Sequence, residues 1–159
     1  MSELWDAYDI NLNKIPGITL IRGEDVPDGM YHLVCDILVQ HEDGTYLLMK
    51  RHPDKAFGDM WEASAGGSAI KGETPEECAK RELFEETGVV VEDITYVGKV
   101  IKPGIIYCEF VCKTKRKEIK MQEGETVDFR WATEEELKEL RDEGTLLSQR
   151  MSNFVSQIP

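Results

Sequence analysis

Four glutamates, an arginine and two glycines stand at fixed spacing between Gly67 and Val89: Gly67, Glu73, Arg81, Glu82, Glu85, Glu86 and Gly88, with Leu83 and Val89 at aliphatic positions. Thr74-Pro75-Glu76-Glu77 has the chemistry of a helix start, with Thr74 as N-cap, Pro75 at the first helical position and Glu77 able to close a capping box. Gly88 suits the left-handed residue just past a helix end, so the pattern predicts a helix from about Pro75 to Thr87. At about 100° per residue, Glu82, Glu85 and Glu86 share one arc while Ala79 and Leu83 share an adjacent apolar face. Carboxylates at i,i+3 and i,i+4 repel, so this face opposes its own helix unless something positive sits over it. A dense set of hard oxygen donors selects a divalent cation such as Mg²⁺ or Mn²⁺. Arg81 carries a planar fork that matches Glu73, which precedes the helix, and would brace that loop. Ala65-Gly66-Gly67 reads as a glycine loop leading into the helix, where bare backbone can approach a phosphate or bend sharply.

The elements around this helix follow from apolar runs and turn residues. Leu4–Tyr8 and Ile18–Arg22 form an expected N-terminal hairpin spanning about 4–22. Tyr31–Gln40 and Tyr46–Arg51 read as strands joined through Glu42-Asp43-Gly44, a hairpin signal. Trp61–Ala63 is a short strand before the glycines. Ile94–Ile101 and Ile105–Cys112 flank the turn Lys102-Pro103-Gly104, and Asp128–Trp131 is a further strand. Thr133-Glu134-Glu135-Glu136 opens a second helix to about Asp142. A last amphipathic helix is expected to carry Leu147, Met151, Phe154 and Val155, so that C-terminal helices cover about 133–157. Strands interrupted by a long helix and closed by helices predict an α/β layered sandwich in one domain over 1–159.

The Gly67–Val89 segment is similar to the Nudix box at every specified position, and the chain resembles the Nudix hydrolase superfamily. That resemblance implies an α/β/α sandwich with a mixed β-sheet, and Mg²⁺-dependent hydrolysis of a diphosphate bond in a nucleoside diphosphate linked to another moiety. By the same resemblance Glu82, Glu85 and Glu86 are the expected metal ligands, with the Gly66 carbonyl completing the set and Gly67 at the substrate. A base outside the box is expected near Glu125, with Glu123 its neighbour and Glu82 the alternative within the box. Arg51 is the favoured cation for substrate phosphates, ahead of Lys50 and Lys55.

The N-terminal half, through Tyr31-His32-Leu33 and the hairpin before it, resembles the isopentenyl-diphosphate isomerases, in which a histidine at this point binds metal. That alternative chemistry needs a cysteine and a histidine before the box, where this chain has Ser64-Ala65-Gly66-Gly67-Ser68. A catalytically silent Nudix-fold sensor is the third reading, against which the complete set of box glutamates argues. Pro103 and Tyr107 fall near positions associated with different substrates, and Phe57, Trp61 and Tyr107 are each candidates for stacking a base or for the core.

Composition sets outer bounds. The chain has 159 residues, 41% apolar and 31% charged, the balance of a globular protein. A net charge of −12 argues against a nucleic-acid polymer as partner but not against a small phosphorylated substrate, whose charge a metal offsets. Cys35, Cys78, Cys108 and Cys112 show no CxxC spacing and read as free thiols of a reducing cytosol. Met1–Asp6 lacks a leader's basic and apolar regions, and no apolar run reaches spanning length, so a cytoplasmic protein free of the membrane is expected; a homodimer is compatible with all of this.

Overall fold

The computed structural model describes residues 1–147 and 151–155. In chain order the elements are β1 (Leu4–Tyr8), β2 (Lys14–Ile21), β3 (His32–His41), β4 (Tyr46–Arg51), β5 (Trp61–Glu62), β6 (Ala65–Ser68), α1 (Pro75–Thr87), β7 (Thr95–Lys102), β8 (Ile105–Thr114), β9 (Thr126–Ala132), α2 (Glu134–Glu143) and α3 (Ser152–Val155). β1 and β2 form an antiparallel pair of their own. The other seven strands form one mixed sheet in the order β5-β4-β3-β8-β7, with β6 on β3 and β9 on β4. β3 and β8 are parallel along their whole length, from His32 opposite Ile105 to His41 opposite Thr114.

β3 holds the sheet together because its residues from His32 to Val39 are all buried, six of them apolar. Leu33, Cys35, Ile37 and Val39 point toward α1 and pack with Cys78, Ala79 and Leu83. Leu38 points the other way, joining Leu48, Leu137, Leu140, Met151 and Phe154 under α2 and α3. Period-2 alternation thus places one core on each face, and helices cover both, as an α/β/α sandwich requires.

Several expectations need correction. The hairpin of β3 and β4 is paired only at Gln40 and Tyr46, after which the strands part: β4 takes β9 as its partner and β3 takes β6 and β8. Residues Ala65–Ser68 are a strand rather than a loop, because Gly66 and Gly67 pair with Asp36 and Cys35 of β3. β2 begins at Lys14 rather than Ile18. Leu147 lies ahead of the last helix, its N–H donating to Trp61 O at 2.7 Å, and α3 is a single turn. The expected extension of that helix to 157 lies outside the described residues.

Candidate active site

Where β3 and β4 part, a cleft of about 510 Å³ opens, within the size range of small-molecule sites. Val34 and Asp36 of β3, Arg51 of β4, Glu62 of β5, the glycines of β6 and three glutamates of α1 line it. α1 is anchored at both ends by its own sequence. Thr74 Oγ1 accepts from Glu77 N at 3.1 Å and Thr74 N donates to the Glu77 carboxylate at 3.1 Å. Gly88 ends the helix at φ 75°. Ala79, Leu83 and Cys78 bury the opposite face, which turns Glu82, Glu85 and Glu86 to the cleft.

Arg81 uses every donor it has. Nε and Nη2 clasp the two oxygens of Glu73 at 2.6 and 3.0 Å, and Nη2 also donates to Ser68 O at 3.2 Å. Nη1 donates to Glu82 at 2.9 Å and Glu85 at 3.2 Å. With all five N–H groups engaged, none is left for a substrate. Glu73 in turn accepts from Ile70 N at 2.9 Å, closing the loop before α1.

Glu86 is 9% exposed and Glu82 half-buried beside it. Burial, then the charges of Glu82 and Glu62, hold the Glu86 carboxyl well above the usual carboxylate range, and burial also raises Glu82. Among the described residues, no three acidic, histidine or cysteine side chains converge on one point, because Glu82 and Glu85 turn to Arg81. The cleft still fits a hard cation. Its donors are carboxylate oxygens, and side-chain carboxyls press closely on the bare backbone: a Cβ at Gly67 would displace the Glu82 carboxyl, and one at Gly66 would meet Asp36 Oδ1.

The structure brings Glu125 into the cleft and leaves Glu123 exposed outside its lining. The loop bearing Glu125 is docked on the end of α1, where Lys120 N donates to Thr87 O at 2.9 Å and Gln122 N to Glu86 O at 3.3 Å. Glu125 is ion-paired with Lys55. Arg51 also reaches the cleft wall, where two of its five N–H groups are engaged: Nη1 donates to Glu62 at 2.7 Å and Nε to Ala56 O at 2.9 Å. In this position the guanidinium braces Glu62 while it lines the cleft. Lys50 lies over the Trp61 ring at 5.8 Å. His32 is buried away from the carboxylates, stacked on Trp5 with centroids 4.0 Å apart. Of the three aromatics, Tyr107 lines the cleft, Trp61 packs under α2 and Phe57 is exposed. Among the described residues lining the cleft none is a cysteine or histidine, the pair that carbon-centred isomerisation needs.

Asp36, Glu62, Glu3 and Arg22 also line the cleft and were not anticipated. Asp36 carried a readable signal, an acid set between Leu33-Val34-Cys35 and Ile37-Leu38-Val39. Glu62 is recognisable only once Arg51 is seen beside it.

Residues 30–152 match the NUDIX domain. Over 150 residues the chain is 35% identical to an uncharacterized Nudix hydrolase of Listeria monocytogenes, lmo0368, covering 91% of this chain and 88% of that one. It is 34% identical over 124 residues to the NAD-capped RNA hydrolase NudC of Actinobacillus succinogenes, spanning 73% of this chain but 47% of NudC. Among solved structures, DR0079 from Deinococcus radiodurans superposes with a TM-score of 0.79 at 18% identity, over 98% of this chain and 99% of that one, a likeness of fold. The chain belongs to the Nudix hydrolase family. It is an enzyme of the pyrophosphohydrolase type.

Proposed function

We propose that this enzyme hydrolyses a diphosphate bond in a nucleoside diphosphate linked to another moiety (a nucleotide sugar, a dinucleotide or a nucleoside triphosphate), and that it requires Mg²⁺, with Mn²⁺ able to substitute. The pair of buried Glu86 and half-buried Glu82 carries this reading, set in a cleft that Glu62, Glu85 and Glu125 also line. So many carboxyls are costly to ionise together unless a cation joins them. Bound Mg²⁺ would neutralise charge developing on the phosphate oxygens and acidify an attacking water.

Glu82, Glu85 and Glu86, with the Gly66 carbonyl, are the groups that would hold the metal. Arg81 fixes the direction of Glu82 and Glu85 from one side, and Arg51 fixes Glu62 from the other. Glu125 is the proton acceptor, oriented by Lys55. Similarity to NAD-capped RNA hydrolases supports a nucleotide-containing substrate, and the net charge of −12 favours a small one over a polymer. Four buried free thiols fit a reducing cytoplasm, and no helix among the described residues is long and apolar enough to cross a membrane.

Glu86→Gln tests the reading, since it keeps shape and removes one charge. Turnover of Mg²⁺-nucleotides should fall by orders of magnitude while the protein stays folded. In ¹⁸O-water, one phosphate product should gain a single heavy oxygen per turnover, and chelator should abolish the reaction reversibly. Label-free products, or activity undiminished in excess chelator, contradict the proposal.

A further inference from the structure

The cleft runs on past the carboxylates to an end built by the β1–β2 hairpin, which precedes the matched residues 30–152. Four cationic side chains line the cleft among the described residues, and carboxylates hold three of them closely: Arg51 on Glu62, Lys55 on Glu125, and Arg81 on Glu73, Glu82 and Glu85. Arg22 differs. It reaches Glu3 at 3.5 Å with its side chain 63% exposed, a loose surface pairing that a ligand can displace at little cost. Glu3 is oriented independently, because its Oε1 accepts from Trp5 Nε1 at 2.7 Å and Trp5 is stacked on His32.

The hairpin end is held in fixed relation to α1. Arg22 N donates to Glu3 O at 3.0 Å and Lys71 N to Leu4 O at 2.8 Å. Gly72 N donates to Asp6 Oδ2 at 2.9 Å. Lys71 and Gly72 belong to the loop that Glu73 closes beneath Arg81. Along β3 the order is His32 under Trp5, then Val34 opposite Tyr107, then Asp36 opposite Gly66. Successive members of that series stand about 7 Å apart. A diphosphate over Glu82 and Glu86 therefore carries its attached group past Val34 and Tyr107 toward Glu3 and Arg22.

At that end one fixed acceptor and one adjustable donor stand side by side. A further phosphate would meet the charge of Glu3, whereas the edge of a nucleobase presents a donor beside an acceptor and satisfies both groups. We propose that Glu3 and Arg22 are the specificity-determining pair of this site and read the edge of the substrate's nucleobase, with Val34 and Tyr107 as the wall along which the nucleoside lies. This rests on the hydrolase reading above. A site built to hydrogen-bond its substrate rejects analogues lacking the matching groups far more strongly than an apolar pocket does.

The test compares wild type with Arg22→Ala and Glu3→Gln on ATP, CTP, GTP and UTP, and on inorganic tripolyphosphate, which has no base, all with Mg²⁺. The Glu3→Gln change retains an acceptor for Trp5, and the backbone bond between the strands needs neither side chain. Arg22→Ala should raise KM for nucleotides by roughly tenfold or more with kcat little changed, and leave the KM for tripolyphosphate as it was. Glu3→Gln should alter the order of preference among the four bases. Equal KM values in variant and wild type, or a rise for tripolyphosphate as large as that for nucleotides, would overturn the proposal, the second outcome making Arg22 a phosphate contact. If none of these compounds is turned over, they are excluded as substrates, and calorimetric titration of the same four nucleotides decides the role of the pair: an affinity unchanged in Arg22→Ala refutes it.

Discussion

Arg81 spends its five donors on four residues, and this fixes what a substitution there should do. Lysine keeps the charge but offers three donors on a point, so it cannot clasp both oxygens of Glu73 while holding Glu82. Arg81→Lys is expected to lower kcat by roughly tenfold to a hundredfold through small displacements of the carboxylates, with KM little affected. A large rise in KM at constant kcat would instead place the guanidinium on the substrate. Steady-state kinetics on one Mg²⁺-nucleotide decides between them. The two downstream acids differ in place, since Glu125 lines the cleft and Glu123 is exposed outside it. Glu125→Gln should therefore flatten the acidic limb of the pH–rate profile and Glu123→Gln should not. Equal, small effects would return the proton to Glu82. The Arg81–Glu73 clasp was legible from spacing because both residues belong to one local motif. The commitment of Arg51 to Glu62 was not, because it depends on the antiparallel pairing of β4 with β5.

At the scale of elements, α1 was readable to the residue: Thr74, Pro75, Glu77 and Gly88 each satisfy or release a backbone group at a helix end. The strand β6 was hidden, because glycines signal loops in sequence and here pair with β3. Its lack of side chains lets α1 bring Glu82 against the backbone, so the element is shaped by what approaches it. A methyl group at Gly67 would meet the end of the Glu82 side chain, which can swing aside, and not a rigid part of the fold. Gly67→Ala is thus expected to leave thermal stability within about 1 kcal/mol of wild type while weakening Mg²⁺ dependence of turnover, seen as a higher Mg²⁺ concentration for half-maximal rate. A loss of folded protein with no shift in Mg²⁺ requirement among the remaining molecules would show that the glycine serves packing alone.

Across the whole molecule, the apolar runs of β3 and β4 marked both as core strands, but not that these strands separate after a single pair of residues and so open the cleft. Such non-local pairing leaves no mark on either strand alone. The same sheet buries an acid outside the cleft lining: Glu109 of β8 lies opposite Asp36 of β3, is fully buried, and accepts from Asn153 N of α3 at 3.1 Å, joining the sheet to the C-terminal turn. Burial, opposed in part by the bond from Asn153, pushes its carboxyl up to about 7. A group with a raised folded pKa binds more protons in the native than in the unfolded state between its two values, so its contribution to stability falls as pH rises through that window. It is fully favourable below about 4.5, the ordinary value, and spent above about 7. Glu109→Gln keeps the acceptor for Asn153 and removes the ionisation. The variant should therefore gain on wild type as pH rises, by ~3 kcal/mol at pH 8 compared with pH 4.5, with the change confined to that interval. Urea midpoints for both proteins across that range measure it. A difference independent of pH would mean that Glu109 stays ionised in the fold, and that the turn at Asn153 docks on a charge.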